Sequence, residues 1–170
     1  MSRFIKIFVS ILLICCNISC DQLTKEKARS EISTNETITI VDDHFILTKV
    51  ENTGAAMSLG ENLNPKLKIV VLQAVPLLVL FLMFLYILRE KKLSSLNVIA
   101  LSFIIGGGVG NIYDRILYNS VTDFMYLEFG GLHTGIFNMA DVSVVVGTLL
   151  ILLNSILTEI DKNRFRNASL

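Results

Sequence analysis

The stretch Gly106-Gly107-Gly108-Val109-Gly110-Asn111-Ile112-Tyr113-Asp114-Arg115, with Val121-Thr122-Asp123-Phe124 and Phe137-Asn138-Met139-Ala140-Asp141 after it, decides how the chain is read. It sets three carboxylates, an arginine and two asparagines between two long apolar segments. Ionisable groups in such a place are costly and mark a functional site by default.

The surrounding composition fits a membrane protein. Of 170 residues 52% are hydrophobic and 18% charged, and the mean hydropathy is +0.62, too apolar for a soluble globular domain and too short for several domains. The formal net charge is zero and no basic block occurs, so no nucleic-acid partner is expected. Cys15, Cys16 and Cys20 all lie in the first apolar segment. They form neither a disulfide framework nor a spaced metal site and read as small apolar residues in lipid.

Working outward from the central stretch, the expected architecture is a single polytopic membrane domain over 1–170. Its fold class is membrane α-helical: four transmembrane helices, near 4–20, 67–88, 94–112 and 139–157, with a small extracytoplasmic β-sheet between helices 1 and 2, near 36–58. The first segment is short for the ~17 to 25 residues a span needs, and it also has the look of a signal peptide ending in a poor lipobox, Asn17-Ile18-Ser19-Cys20. Three further apolar segments follow, which favours a span, with Lys6 snorkelling to the inner surface. Thr37-Ile38-Thr39-Ile40-Val41 and His44-Phe45-Ile46-Leu47-Thr48-Lys49-Val50 flank Asp42-Asp43 and predict a β-hairpin. Pro76 interrupts the second span, where neighbours must satisfy the freed carbonyl. Basic residues gather at the N-terminus, between spans two and three, and at the C-terminus, so both termini are expected in the cytoplasm and the central stretch at the outer face.

Asp123 and Asp141 lie on different elements and converge only through the fold. Two carboxylates in a partly desolvated site titrate as a pair sharing one proton. One then serves as general base on a water while its protonated partner polarises a carbonyl, the chemistry of aspartic proteases. An isolated Asp141 would read instead as a helix cap. Asp114 and Arg115 suggest a structural ion pair, while Asn52, Asn111 and Asn138 offer amides that can grip a substrate backbone. His44 and His133 read as loop or strand residues, and no metal or other cofactor is expected.

Five pieces in order, Asp21-Gln22-Leu23-Thr24-Lys25, Asn52-Thr53-Gly54-Ala55-Ala56, the Gly-Asn-x-x-Asp-Arg of Gly110 to Arg115, Val121-Thr122-Asp123-Phe124 and Phe137-Asn138-Met139-Ala140-Asp141, match the motifs of bacterial lipoprotein signal peptidase, or signal peptidase II. The chain resembles that family over essentially its whole length. The resemblance implies an aspartyl endopeptidase of the bacterial inner membrane, monomeric and without cofactor. Such an enzyme cuts diacylglyceryl-modified prolipoproteins before the lipidated cysteine and is inhibited by globomycin. It also implies that Asp123 and Asp141 are the catalytic dyad, with Asp21, Lys25, Asn52, Gly54, Gly110, Asn111, Asp114, Arg115, Asn138 and Ala140 supporting it or contacting substrate. Met57 stands where the family usually has phenylalanine. Asn119 replaces a common glycine, and asparagine also tolerates a left-handed turn.

Substrate is expected to arrive laterally from membrane lipid, past Gly106 to Gly108, with Gly54 to Asn62 moving as a lid. Two other classes compete. A proton-coupled transporter or channel subunit would place Asp114, Asp123 and Asp141 near the bilayer midplane. A structural scaffold would use the glycines for packing alone and tolerate asparagine at 123 and 141.

Overall fold

The computed structural model of the chain describes residues 2–33, 36–42, 44–55 and 58–168, with side chains as far as 164. Met57, one of the two departures from the family pattern, lies outside the described residues, as do Asp43 in the hairpin turn and Ala56 at the end of the Asn52 motif.

The protein is a membrane protein of four helices, each long and apolar enough to span. Helix α1 (Arg3–Glu31) starts on Ser2, whose hydroxyl accepts from Ile5 N at 3.3 Å. At ~1.5 Å per residue it is about 43 Å long, well beyond a bilayer's ~30 Å hydrocarbon core. The expected end of the first span at residue 20 is therefore not the end of its helix. Asp21, Lys25 and Arg29 follow at four-residue spacing and share one face, and this polar face docks on the rest of the site rather than on lipid. Lys6 is buried, and its Nζ donates to Glu90 O at 2.8 Å, satisfying a carbonyl at the end of the second helix.

Helix α2 (Pro65–Arg89) begins on Asn64, whose side chain accepts from Lys66 N. Its turn Val70–Ala74 is π-helical. Pro76 explains why: a proline lacks the N–H for the ladder and its ring presses on the carbonyl four residues back, and a widened turn relieves both.

Helix α3 (Ser95–Tyr118) is the central post, with Val98, Leu101, Ile105 and Ile112 in a core shared with Leu80 and Ile87 of α2. It continues past the expected boundary at residue 112, so Asn111, Asp114 and Arg115 ride on helix. It stops at Asn119, which takes the left-handed conformation (φ 57°, ψ 11°) expected of an asparagine replacing glycine.

Strands β1 (Thr37–Val41) and β2 (Phe45–Asn52) form the expected hairpin. The second excursion, in which the sequence predicts no strand, supplies two more, β3 (Val121–Phe129) and β4 (Leu132–His133). The four are antiparallel in the order β1-β2-β3-β4. Val50 faces Asp123 and Asn52 faces Val121 in the β2–β3 register. Phe124 packs on Ala28 and Ile32 of α1, seating the sheet on the bundle. Helix α4 (Met139–Ala168) completes the fold.

Candidate active site

The frame of the site is a buried polar cluster between α1, α3 and α4. Asp21, Lys25 and Asp114 are fully buried. Lys25 Nζ reaches Asp21 Oδ2 (2.8 Å), Asn111 Oδ1 (2.8 Å) and Asp114 Oδ2 (3.2 Å). Asp21 Oδ1 accepts from Ala140 N at 2.8 Å, tying the start of α4 to α1. Gln22 Nε2 donates to Asp21, Gly110 O and Asp114. Buried charges are tolerable only when paired and hydrogen-bonded in this way.

That frame orients the amides around the two candidate carboxylates. Lysine can only donate, so Asn111 must turn its oxygen towards Lys25. Its Nδ2 is left to donate to Asp141 Oδ1 at 2.9 Å. Asn138 N donates to Asp141 Oδ2 and Asp141 N to Asn138 Oδ1, both at 3.1 Å. This reciprocal pair is a capping box at the start of α4, so Asp141 does cap its helix. It also borders a cavity. Asn138 Nδ2 donates to Asp123 Oδ1 (2.5 Å), and Asn52 Nδ2 donates to Asp123 Oδ2 (3.0 Å). One residue, Asn138, thus holds both carboxylates. Burial pushes Asp123 from 3.8 up to about 6; the amides of Asn52 and Asn138 pull it down, and the charge of Asp141 adds to the rise.

Both aspartates line one cavity of about 840 Å³, with Asn52, Asn111 and Arg115. Its other wall is apolar, from Val71, Leu72 and Pro76 of α2 to Ile112 and Val142. The site therefore combines a polar, carboxylate-bearing side with an apolar one. Among the described residues no His, Cys, Asp and Glu side chains group as metal ligands would.

Two sequence expectations need correction. Asp114 and Arg115 do not pair, because neighbours on a helix point about 100° apart. Asp114 pairs with Lys25 and Arg29 (2.9 Å), whereas Arg115 donates to Gly54 O (2.9 Å) and Asn111 O (3.2 Å), bracing the loop after β2. Nor do Gly106 and Gly107 line a path for substrate. A Cβ at Gly106 would lie 2.6 Å from Asn17 Cβ of α1, and one at Gly107 would lie 3.1 Å from Ser143 Cβ of α4. Close helix approach uses both. Gly108 alone of the three borders the cavity. Gly110 likewise makes room for Asp21, 2.5 Å from where its Cβ would be.

Asn52 and Gly54 meet at the end of β2: Asn52 Oδ1 accepts from Gly54 N and Asn52 Nδ2 donates to Ala55 O. The sequence reading gave no role to Arg29, Glu51, Ser120 or Thr122. Arg29 was within reach, as the third member of the Asp21, Lys25 series. The other three meet only through the β2–β3 register, and no local spacing reveals that.

The fold and the site define a class, a four-span membrane protein with two aspartates bordering one cavity. Two solved structures of bacterial membrane enzymes share this fold. One superposes with a TM-score of 0.79 at 24% identity over 91% of this chain and 90% of its own, the other with 0.75 at 25% over 86% and 91%. Residues 13–157 match the family model of signal peptidase (SPase) II. Lipoprotein signal peptidases from Clostridium acetobutylicum (36% identical, covering 91% of this chain and 98% of that protein) and Fusobacterium nucleatum (36%, 90% and 86%) are among its relatives. The chain belongs to the signal peptidase II family, and is accordingly a peptidase that removes signal peptides from prolipoproteins.

Proposed function

We propose that Asp123 and Asp141 are the catalytic dyad of an aspartyl endopeptidase that cuts a prolipoprotein immediately before its diacylglyceryl-modified cysteine. The observation that carries this is the shared cavity: both carboxylates border it, and Asn138 holds each of them. Asp123, raised to about 6, suits the partner that keeps the proton and polarises the scissile carbonyl. Asp141, in the first turn of α4 and held by Asn111 and Asn138, serves as the base. Water gives a proton to Asp141 and attacks the carbonyl carbon, while the carbonyl oxygen takes the proton of Asp123. Collapse of the tetrahedral species breaks the C–N bond as Asp141 gives its proton to the leaving amine, one hydroxyl of the species returns its proton to Asp123 as the new carbonyl forms, and the dyad is left with one proton as before.

The apolar wall fits acyl chains that remain in membrane lipid while the peptide reaches the aspartates. In this reading the site lies at the outer face of the bacterial inner membrane, with both termini cytoplasmic. Support comes from the basic residues at the opposite end: Arg3, Arg89, Lys91, Lys92, Lys162 and Arg164. The enzyme acts as a monomer, and globomycin occupies the same cavity. Of the segment 54–62, the described residues 54, 55 and 58–62, braced at Gly54 by Arg115, act as a lid; exchange protection equal to that of the spans, with and without inhibitor, would contradict the movement.

The decisive experiment incubates purified protein with a diacylglyceryl-modified precursor and compares wild type with Asp123→Asn and Asp141→Asn. Both variants are expected to remain inserted and folded and to lose cleavage by ~10³-fold or more, as in other hydrolytic dyads and triads. Cleavage surviving in both overturns the assignment.

A further inference from the structure

Arg29 touches both sides of the turn that joins α3 to β3. Its guanidinium pairs with Asp114 Oδ2 on α3 at 2.9 Å, lies 4.2 Å over the ring of Tyr118 in the last helical turn, and donates through Nε to Thr122 Oγ1 on β3 at 2.8 Å. Thr122 N donates to the same Asp114 oxygen at 3.4 Å, which closes a triangle of Arg29, Asp114 and Thr122. Arginine has no acceptor, so the Thr122 hydroxyl must accept from it and give its own proton elsewhere. That proton goes to Glu51 Oε1 on β2 at 2.8 Å, and Ser120 Oγ donates to Glu51 Oε2 at 2.6 Å. Thr122 is fully buried, and the single proton of its hydroxyl is committed to Glu51.

The two ends of this array adjoin the candidate carboxylate and its amide. Thr122 precedes Asp123, and Glu51 precedes Asn52, which donates to Asp123. Glu51 and Thr122 face each other across the β2–β3 register, on the side of the sheet opposite Asp123. A polar clamp on one face thereby sets where the other face holds its carboxylate. Asp114 Oδ2 also receives Lys25, which orients Asp141 through Asn111. Two cations one turn apart on α1 therefore meet on one oxygen, and each leads to a different aspartate.

We infer that Arg29 is a positioning residue for Asp123, acting through Thr122. Arg29 does not border the cavity and acts on the reaction only through the placement of β3. The inference rests on the reading of Asp123 and Asp141 as the dyad.

The test uses the full-length enzyme in detergent or bilayer with the diacylglyceryl-modified precursor, measuring kcat, KM and thermal midpoint for Arg29→Gln, Thr122→Val, Thr122→Ser, the Arg29→Gln/Thr122→Val double variant and Asp123→Asn. Displacing a reacting group by an ångström costs on the order of a hundredfold in rate. Thr122→Val keeps the shape and loses the hydroxyl, so kcat is expected to fall roughly ten- to a hundredfold with KM within about twofold; Thr122→Ser returns most of it. Arg29→Gln follows the same pattern, and the double variant falls no further, since both act along one route. Wild-type kcat in Thr122→Val, or a loss that Thr122→Ser does not recover, overturns the inference. Should Arg29→Gln fail to fold, the valine and serine variants decide alone. An inactive Asp123→Asn beside an unimpaired Thr122→Val removes Arg29 from the reaction and leaves the dyad standing. Cleavage by Asp123→Asn removes both.

Discussion

The two halves of the site are held by different physics. Asp141 belongs to the helical half, where α1, α3 and α4 meet around buried ion pairs, and its supporting amide is aimed by a lysine. Asp123 belongs to the sheet half, where its oxygens take neutral amide donors from Asn52 and Asn138. Ion pairs in a buried cluster are rigid because breaking any one strands a charge. Neutral amides leave the carboxylate room to hold or release a proton. The helical half thus acts as the fixed reference, while in the sheet half burial raises the proton affinity of Asp123 against the pull of its amides.

The largest effect that would break this contrast lies in the helical half. Asp21→Ala removes a partner of Lys25 and the acceptor of Ala140 N, and is expected to cost ~3–5 kcal/mol in reversible unfolding, the usual penalty for stranding a buried charge. A loss no larger than that of a surface substitution would mean that the ion cluster is not what holds α4 in place.

The next effect belongs to Asp123 and to pH. Its folded-state value of about 6 exceeds the unfolded 3.8, so the native protein binds this proton more tightly than the unfolded chain does. Its contribution is full below pH 3.8 and is lost as pH rises to about 6, ~3 kcal/mol for a rise of about two units. The stability of wild type relative to Asp123→Asn should therefore decline between pH 4 and 6.5 and then level. Parallel profiles from thermal unfolding at several pH values would show that Asp123 is not perturbed by its burial.

Asn52→Ala is the sheet-half counterpart of Asp21→Ala. It removes one of two donors to Asp123 and the tie to the loop at Gly54 and Ala55, with an expected cost of ~1–3 kcal/mol. Because that donor lowers Asp123, its removal moves the pH window above upward. A cost equal to that of Asp21→Ala would erase the distinction between the halves. The smallest effect is at the turn: Asn119 has φ 57°, and Asn119→Ala is expected to cost ~1 kcal/mol, with Asn119→Gly near neutral in the same melts.

The same division explains what could be read without coordinates. The residues of the helical half are named by their types and order, Asp21 with Lys25, Asn111 with Asp114 and Arg115, Asn138 with Asp141, although the sequence alone does not put Asp21 and Lys25 on the first helix. Their types and order also matched a known family. Even there the partner of Asp114 was misassigned, since adjacency along a helix was taken for contact. The β1–β2 hairpin was legible from its β-branched runs, and Asn119 from its backbone tolerance. Strand β3 was not, because Val121–Phe129 gains its identity by pairing with β2, some seventy residues earlier in the Glu51↔Thr122 register. The roles of Glu51, Ser120 and Thr122 follow from that register and could not precede it. The extension of α1 to Glu31 is not visible in the sequence, because the polarity after Cys20 marks a change of neighbour from lipid to protein and not an exit from helix.

The glycines of α3 carry one further consequence. Gly106 and Gly110 admit α1, Gly107 admits α4, and a Cβ at Gly108 would press on Leu80 of α2. Four positions within five residues consequently look out in three directions. A saturation scan of this segment should give an unbroken block of intolerance instead of the stripe, repeating every third or fourth residue, that marks a helix with one working side.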